Sequence, residues 1–591
     1  MPNKSHSIVS YVAATLVSLS LMLGVTFGVQ PQRQRRVGTS STQPTPTPSP
    51  TPIIAPTPAA AETATPEASP SPTPDVAAIR VAATTRSLSE LQSRITQILR
   101  KPDFDAATIG VKVASLTTGK VLFEENANKL LRPASNMKLY SVSAALDRLG
   151  PDYHFVTSVY AHAKPDAAGI ISGDLIIYGR GDPSLAARFN SGDYFKGIND
   201  LASRIAAAGV KRVEGDLVGD ETYFVGPQYG SGWEWDDLQW WYGAEVSALT
   251  VNDNSLDLFV KPGAQVGAPA VITTGPPDPL LRIINKVVTA ERKTKRDLMV
   301  HRGLAADELE VSGSIALDDK GYTGGIGISK PALLFAYLVR SALAERGVII
   351  SGKTRTIAPE WSGGSSNSTV GDFSIIPFTF PKNSSGQSYS ITPRQALVEI
   401  AQLQSPPLSV IAAQTLKPSQ NLYTELILRT LGKVAPLPLT AANANRTSEE
   451  AGLEVVKAFL KDAGVMPPAL VLSDGSGLSR NDMVTAAATV QLLTYMHSHR
   501  YAMQLHDALP IAGVDGTLRN RLKGTPAENN LRAKTGSLSS AASLSGYVKD
   551  AAGEDLVFSI MFNNYPEDAD IRGGGIDPIA TLLAAFTGKT Q

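Results

Sequence analysis

The stretch Arg132–Ser141, RPASNMKLYS, sets a serine and a lysine three residues apart at the start of an apolar-striped helix. Pro133 and Ala134 mark the entry, and Met137, Leu139, Val142, Ala145, Leu146 and Leu149 form the stripe. At i, i+3 spacing Ser135 and Lys138 share a helix face. A serine hydroxyl is a weak nucleophile until a neighbouring base takes its proton. Lysine is such a base only where burial and nearby cations depress its pKa. The alternative is an ordinary amphipathic helix with a serine near its cap, and the rest of the chain has to decide between them.

Far downstream, in LRAKTGSLSSAASLSGYV, stands the one K-T-G triplet, Lys534-Thr535-Gly536, on a predicted strand. A second lysine there supplies the cationic field that the first one needs, and with the Thr535 hydroxyl it offers a docking point for a substrate carboxylate. Gly536 lets a substrate backbone lie close along the strand, and the amide of Ser537 can pair with that of Ser135 as an oxyanion hole. A Ser-x-Asn element is expected between the two, the serine relaying a proton to the leaving amine and the asparagine holding a substrate amide. Three such triplets occur, Ser365-Asn367, Ser419-Asn421 and Ser479-Asn481. The first sits in a Ser/Gly-rich loop and the third in a turn, SDGSGLSRND. The second opens the long apolar-striped helix of KPSQNLYTELILRTLG, which would hold it rigidly, so Ser419 and Asn421 are chosen.

Around these motifs the texture changes twice. A helix over Ser87 to Lys101, capped by Ser87, and a hairpin in TIGVKVASLTTGKVLFEENAN precede the Ser135 helix. From about Asp166 to Phe380, short apolar strands alternate with Gly, Asp and Pro turns, with a few helices such as KPALLFAYLVRSALAERG. After the Ser/Asn-rich stretches WSGGSSNSTVG and PKNSSGQS, helical patterns return from about Thr392, and the chain ends in strands AASLSGYVKD and EDLVFSIMFNN and a helix, IDPIATLLAAF. The reading is one α/β (α+β) domain interrupted by a β-rich insertion: residues 86–165, then the insertion over 166–385, then 386–591.

The first 85 residues are of another kind. Ile8 to Val29 are 22 residues without a charge, long enough to span a membrane. No small-x-small cleavage site follows, so residues 1–30 read as an export signal kept as an anchor, although Arg33, Arg35 and Arg36 bias slightly toward the opposite orientation. Residues 31–85 form a Pro/Thr/Ser/Ala-rich linker with eleven prolines between Pro44 and Pro74, a polyproline-type tether. The expected location is extracytoplasmic or periplasmic, tethered to the inner membrane. With 54 basic and 54 acidic residues there is no field to recruit nucleic acid, and with no cysteine there is no disulfide, thiol nucleophile or thiolate metal site. His497 and His499, at i, i+2, read as a helix-end feature rather than a metal pair. The sequence is silent on oligomeric state.

The ordered trio, with the phrases RPASNMKL, KPSQNLYTE, DGSGLSR, LPIAGVDGTL and AKTGSL, resembles the penicillin-binding protein 4 type of D-alanyl-D-alanine carboxypeptidase and endopeptidase from Ser87 to Gln591. The resemblance implies a serine transpeptidase/β-lactamase-like domain with β-rich domains inserted between the first and second motifs. It implies peptidoglycan stem peptides as substrate, β-lactams as acylating inhibitors, and no metal or organic cofactor. It also implies an aspartate from the insertion that contacts the amino group of the substrate's diamino acid. GSGWEWDDLQWWYGAE looks like the matching segment and points to Asp237, or to Asp236 one residue away. Gln420 stands where the family often has an acidic residue, and the anchor and tether differ from a cleaved signal. Two other readings compete. A serine β-lactamase of one common kind carries Glu-x-x-Asn between the second and third motifs, and none occurs here. A silent wall-binding scaffold would break a motif, and Ser135, Lys138, Asn421 and Lys534 are all present.

Overall fold

The computed structural model describes residues 84–303, 306–359, 397–438 and 445–590. The apolar segment, the Pro-rich linker up to residue 83, both Ser/Asn-rich stretches and the Ser365-Asn367 triplet lie outside the described residues. Among the described residues no helix is long and apolar enough to cross a membrane.

One five-stranded sheet draws on both ends of the chain. Its order is Arg532–Leu538, Ala541–Lys549, Asp555–Asn563, Thr108–Ser115, Val121–Glu125, antiparallel throughout. Strand Asp555–Asn563 shows why its sequence is apolar on both faces, interrupted only by Ser559 between Leu556 and Phe562. Leu556, Phe558, Ile560 and Phe562 point into one core with Leu91, Ile95 and Leu99 of helix Leu88–Leu99 and with Ile579 and Leu583 of the closing helix Asp577–Ala584. Val557 and Met561 point to the other core, against helices Met137–Leu149 and Ala486–His497. A strand covered on both faces loses the polar half of its alternation. Helix Leu88–Leu99 begins as its sequence suggests, with the Ser87 hydroxyl accepting from the Glu90 N–H at 3.2 Å. His499, beyond the helix that ends at His497, contacts Asp147 at 3.0 Å.

The insertion is a mixed module. A five-stranded sheet runs Thr354–Ile357, Leu217–Asp220, Leu175–Tyr178, Val156–Ala161, Val398–Gln404, with helices Lys196–Ala207 and Pro331–Glu345 contributing to the same core. Three three-stranded sheets complete it among the described residues, one built on Ser255–Lys261, one on Glu308–Ala316 and a short one on Arg212–Val213. Strand pairing carries the module past the expected 166–385 limits on both sides, because Val156–Ala161 and Val398–Gln404 hydrogen-bond to each other at the edge of its large sheet. The second of these, VEIAQLQ, falls where the sequence suggested helix. It has good helix formers, but its alternating half-buried and exposed side chains follow the period-two register imposed by the neighbouring strand.

Candidate active site

Ser135 does not sit inside the helix but on a short 3-10 turn, Ala134–Asn136, that runs into Met137–Leu149. Ala134, just before it, takes a left-handed φ of 48°. A non-glycine residue at that φ stores strain where the surrounding structure holds it, commonly at functional sites. The turn abuts the K-T-G strand. A Cβ at Gly536 would stand 2.5 Å from the Pro133 carbonyl oxygen and 2.2 Å from the Ser543 hydroxyl. Glycine is therefore required for the nucleophile's turn to approach the strand backbone, a packing reason distinct from the substrate clearance expected of it.

Lys138 is completely buried. Its Nζ donates to Ser135 Oγ at 3.0 Å, to Asn421 Oδ1 at 2.6 Å and to the Ser476 carbonyl at 2.7 Å. Burial pushes its pKa down from 10.5 to about 7, against the opposing pull of Asp474, Glu425 and Asp482. Lys534, equally buried, donates to Ser419 Oγ at 2.9 Å and to the Thr535 carbonyl at 2.8 Å. Burial first, then the neighbouring Lys138, hold it well below the ordinary lysine range. Ser419 has φ 66° and leads into helix Asn421–Val434, whose N-cap Gln420 accepts from the Leu422 N–H at 3.0 Å. The middle residue of that motif is thus a buried cap. Asn421 also donates to the Tyr242 carbonyl of the insertion at 2.8 Å. Thr535 Oγ1 donates to Thr517 Oγ1 at 2.7 Å, and the exposed Ser537 accepts from Arg572 at 2.6 Å.

Ser135, Lys138 and Asn421 thus form one hydrogen-bonded group and Ser419 and Lys534 a second, with Ser419 and Asn421 two residues apart in the chain and the charge of Lys138 acting on Lys534. Such an arrangement can move a proton off one hydroxyl and onto a leaving group beside it.

Asp237 is placed otherwise than its expected role requires. It is buried, and its carboxylate meets Arg480 Nη1 at 2.9 Å. Its neighbour Asp236 is half-buried and lines an open cavity of about 670 Å³ with Arg132, Glu234, Arg480, Ser539, Ser540 and Tyr565. Glu234, Asp236 and Asp237 bring carboxylate oxygens within 4.8 Å of one another, and Arg480, ion-paired to Glu234 at 2.7 Å as well as to Asp237, supplies countercharge. The resemblance could point to this segment only to within one residue, since an irregular loop has no periodicity to fix which side chain faces out.

The chain matches the family described as D-Ala-D-Ala carboxypeptidase 3 (S13) over residues 91–364 and 386–586. It belongs to this family. A D-alanyl-D-alanine carboxypeptidase of Actinomadura sp. (strain R39) is 32% identical over 519 residues, covering 86% of each chain. The carboxypeptidase DacB of Haemophilus influenzae is 24% identical over 475 residues, 78% of this chain and 86% of that one. The crystal structure of penicillin binding protein 4 (dacB) from Haemophilus influenzae superposes with a TM-score of 0.66 at 22% identity, over 82% of this chain and 97% of that one. The α+β fold and the carboxypeptidase reading of the sequence agree with these findings, and nothing in them favours the β-lactamase.

Sequence reasoning passed over several groups that contact the residues of the motifs or the Asp237 segment. Arg480 and Asp474 lie in DGSGLSRND, which was set aside as a turn once its Ser479-Asn481 triplet was rejected; the phrase's part in the resemblance was the available signal. Trp233 and the Tyr242 carbonyl come from the aromatic segment of the insertion, and Thr517 from LPIAGVDGTL.

Proposed function

We infer that the protein is a serine D-alanyl-D-alanine carboxypeptidase, with D,D-endopeptidase capacity at the same centre, acting on peptidoglycan stem peptides outside the cytoplasm. The observation that carries the reading is the 3.0 Å contact between Ser135 Oγ and a fully buried Lys138 whose pKa is pushed down to about 7. A neutral amine at that place takes the Ser135 proton as Oγ attacks the D-alanyl carbonyl. The backbone N–H groups of Ser135 and Ser537 receive the oxyanion. Ser419, held by Lys534, passes its proton to the departing amine, which leaves as D-alanine or as a cross-linking side chain, and takes in its place the proton that Lys138 received, so that Lys138 is neutral again. Water then attacks the acyl-serine, Lys138 again acting as base.

Asn421 orients Lys138 and presents its amide to the substrate backbone, while Thr535 and Lys534 meet the terminal carboxylate. The cavity beside the cleft takes the diamino acid side chain, with its ammonium against Asp236 and Glu234. Asp237 acts there through Arg480. A β-lactam, whose strained amide resembles the D-Ala-D-Ala bond, acylates Ser135.

The test is labelling with a fluorescent penicillin beside Ser135→Ala, mass spectrometry of the labelled peptide, and release of D-alanine from a stem pentapeptide. An adduct on Ser135, absent from the variant, together with D-alanine release, is the expected result. No adduct in folded protein removes the acyl-serine reading, and rapid loss of the adduct redirects it to a β-lactamase.

A further inference from the structure

The reacting lysine leans on a loop that the mechanism above does not use. Residues 473–479 fold around the carboxylate of Asp474, which is fully buried. Its Oδ1 accepts from the backbone N–H groups of Ser476 at 3.0 Å and Gly477 at 2.6 Å. Its Oδ2 accepts from the Ser479 N–H at 2.9 Å, the Ser476 hydroxyl at 3.0 Å and the indole Nε1 of Trp233 at 2.8 Å. Every partner is a donor, which is the pattern that suits an acceptor-only, ionised carboxylate. Two features carry this geometry to the reacting atoms. The Ser476 carbonyl, fixed by these bonds, accepts from Lys138 Nζ at 2.7 Å. A Cβ at Gly477 would stand 1.9 Å from the Ala134 carbonyl oxygen, so the loop is packed against the turn that bears Ser135.

The insertion closes the arrangement. Trp233 is contributed by the segment whose Tyr242 carbonyl accepts from Asn421, so two of the three acceptors around Lys138 are steadied from outside the catalytic domain. Hydrogen bonds from Ser231 to Glu449 and between Val225 and Ser448 fasten the same segment to helix Ser448–Asp462.

We propose that Asp474 is a positioning residue for Lys138, holding the Ser476 carbonyl against its amine, and that Trp233 of the insertion holds Asp474 in that role. The acyl-transfer centre is then competent only with the insertion docked. The inference rests on the acyl-serine reading. The charged groups around Lys138 are Glu425 from helix Asn421–Val434, Asp474 and Asp482 from the loop, and Lys534 from the facing strand. Around Asp474 stand Glu425, Asp482 and Glu449, the last with Arg429 beside it. Burial holds Glu425 and Asp482 well above the usual carboxylate range, and of the carboxylates that oppose the lowering of the Lys138 pKa Asp474 acts most strongly.

The experiment compares the full chain with Trp233→Phe and Asp474→Asn, measuring the second-order rate of Ser135 acylation by a fluorescent penicillin from pH 5.5 to 9, with melting curves alongside. Trp233→Phe removes one donor and keeps a ring, and should acylate about tenfold more slowly through misplacement of the base. In Asp474→Asn the loss of negative charge makes the Lys138 proton easier to remove. The rate falls further, and its acid limb moves down by roughly one pH unit. A merely structural role would lower the melting temperature and leave the acid limb in place, and that result overturns the proposal. Should Asp474→Asn not fold, Trp233→Phe decides alone, and an unchanged rate there also overturns it. Failure of the wild type to label Ser135 would instead strike at the acyl-serine reading.

Discussion

The depressed pKa of Lys138 makes the pH dependence of acylation the sharpest consequence of the structure. An exposed lysine, at 10.5, is neutral in only about 0.03% of molecules at pH 7, whereas Lys138 at about 7 is neutral in about half. Burial therefore increases the population of working base on the order of a thousandfold at neutral pH. The sign follows from the role. Lys138 must be unprotonated to accept the Ser135 proton, so acylation rises with pH through about 7 and then levels. About a tenth of the lysine is neutral at pH 6, half at pH 7 and nine-tenths at pH 8. The rate should thus grow about fivefold over the first step and less than twofold over the second. The assay is pseudo-first-order labelling by a penicillin whose charge is constant over the range, at fixed ionic strength, with Ser135→Ala as blank. A rate that is flat from pH 5 to 8, or one still climbing tenfold per unit at pH 9, would refute the assignment of a buried, low-pKa Lys138 as the base.

Three further outcomes follow from contacts around the site. Gly536→Ala places a methyl group 2.5 Å from the Pro133 carbonyl, so the turn carrying Ser135 must move; acylation should fall about a hundredfold, and a rate within threefold of wild type would show that the turn yields without cost. Arg480→Ala strands the carboxylate of Asp237, whose side chain is only 4% exposed, and should destabilise the protein by about 3 kcal/mol in urea unfolding; a change under about 1 kcal/mol would mean that water or a shifted neighbour satisfies the charge. Asp236→Ala should lower kcat/KM for stem peptides with a free diamino acid amine more than for their N-acylated counterparts, and equal losses would remove the ammonium contact.

Much of the site was readable because its chemistry is local or its motifs are rare. Ser135 and Lys138 lie three residues apart, a spacing that puts them on one side of the turn and helix and lets Lys138 Nζ reach Ser135 Oγ at 3.0 Å. Ser419-Asn421 could be picked from three candidates because a rigid helix follows it, and that helix aims Asn421 at Lys138. Strand Val398–Gln404 was misread for the complementary reason. Its residues favour helix, and only its partner Val156–Ala161, more than two hundred positions away, gives it a strand's register.

By itself, then, the sequence supplied the candidate nucleophile, base and relay through residue type and short spacing, an interrupted α+β reading through its changes of texture, and the family through the resemblance of its motif phrases. The tertiary structure alone decided what those residues are worth. The Lys138 pKa falls to about 7 because folding takes it entirely out of water, and a pKa shift of that kind belongs to the environment and not to the residue. It also decided that Asp236, and not Asp237, faces the cavity, that Gly536 serves the fit of two backbones, and that a tryptophan from the insertion ends on the loop behind the lysine. Each of these depends on a meeting of segments far apart in the chain, which no local pattern of the sequence encodes.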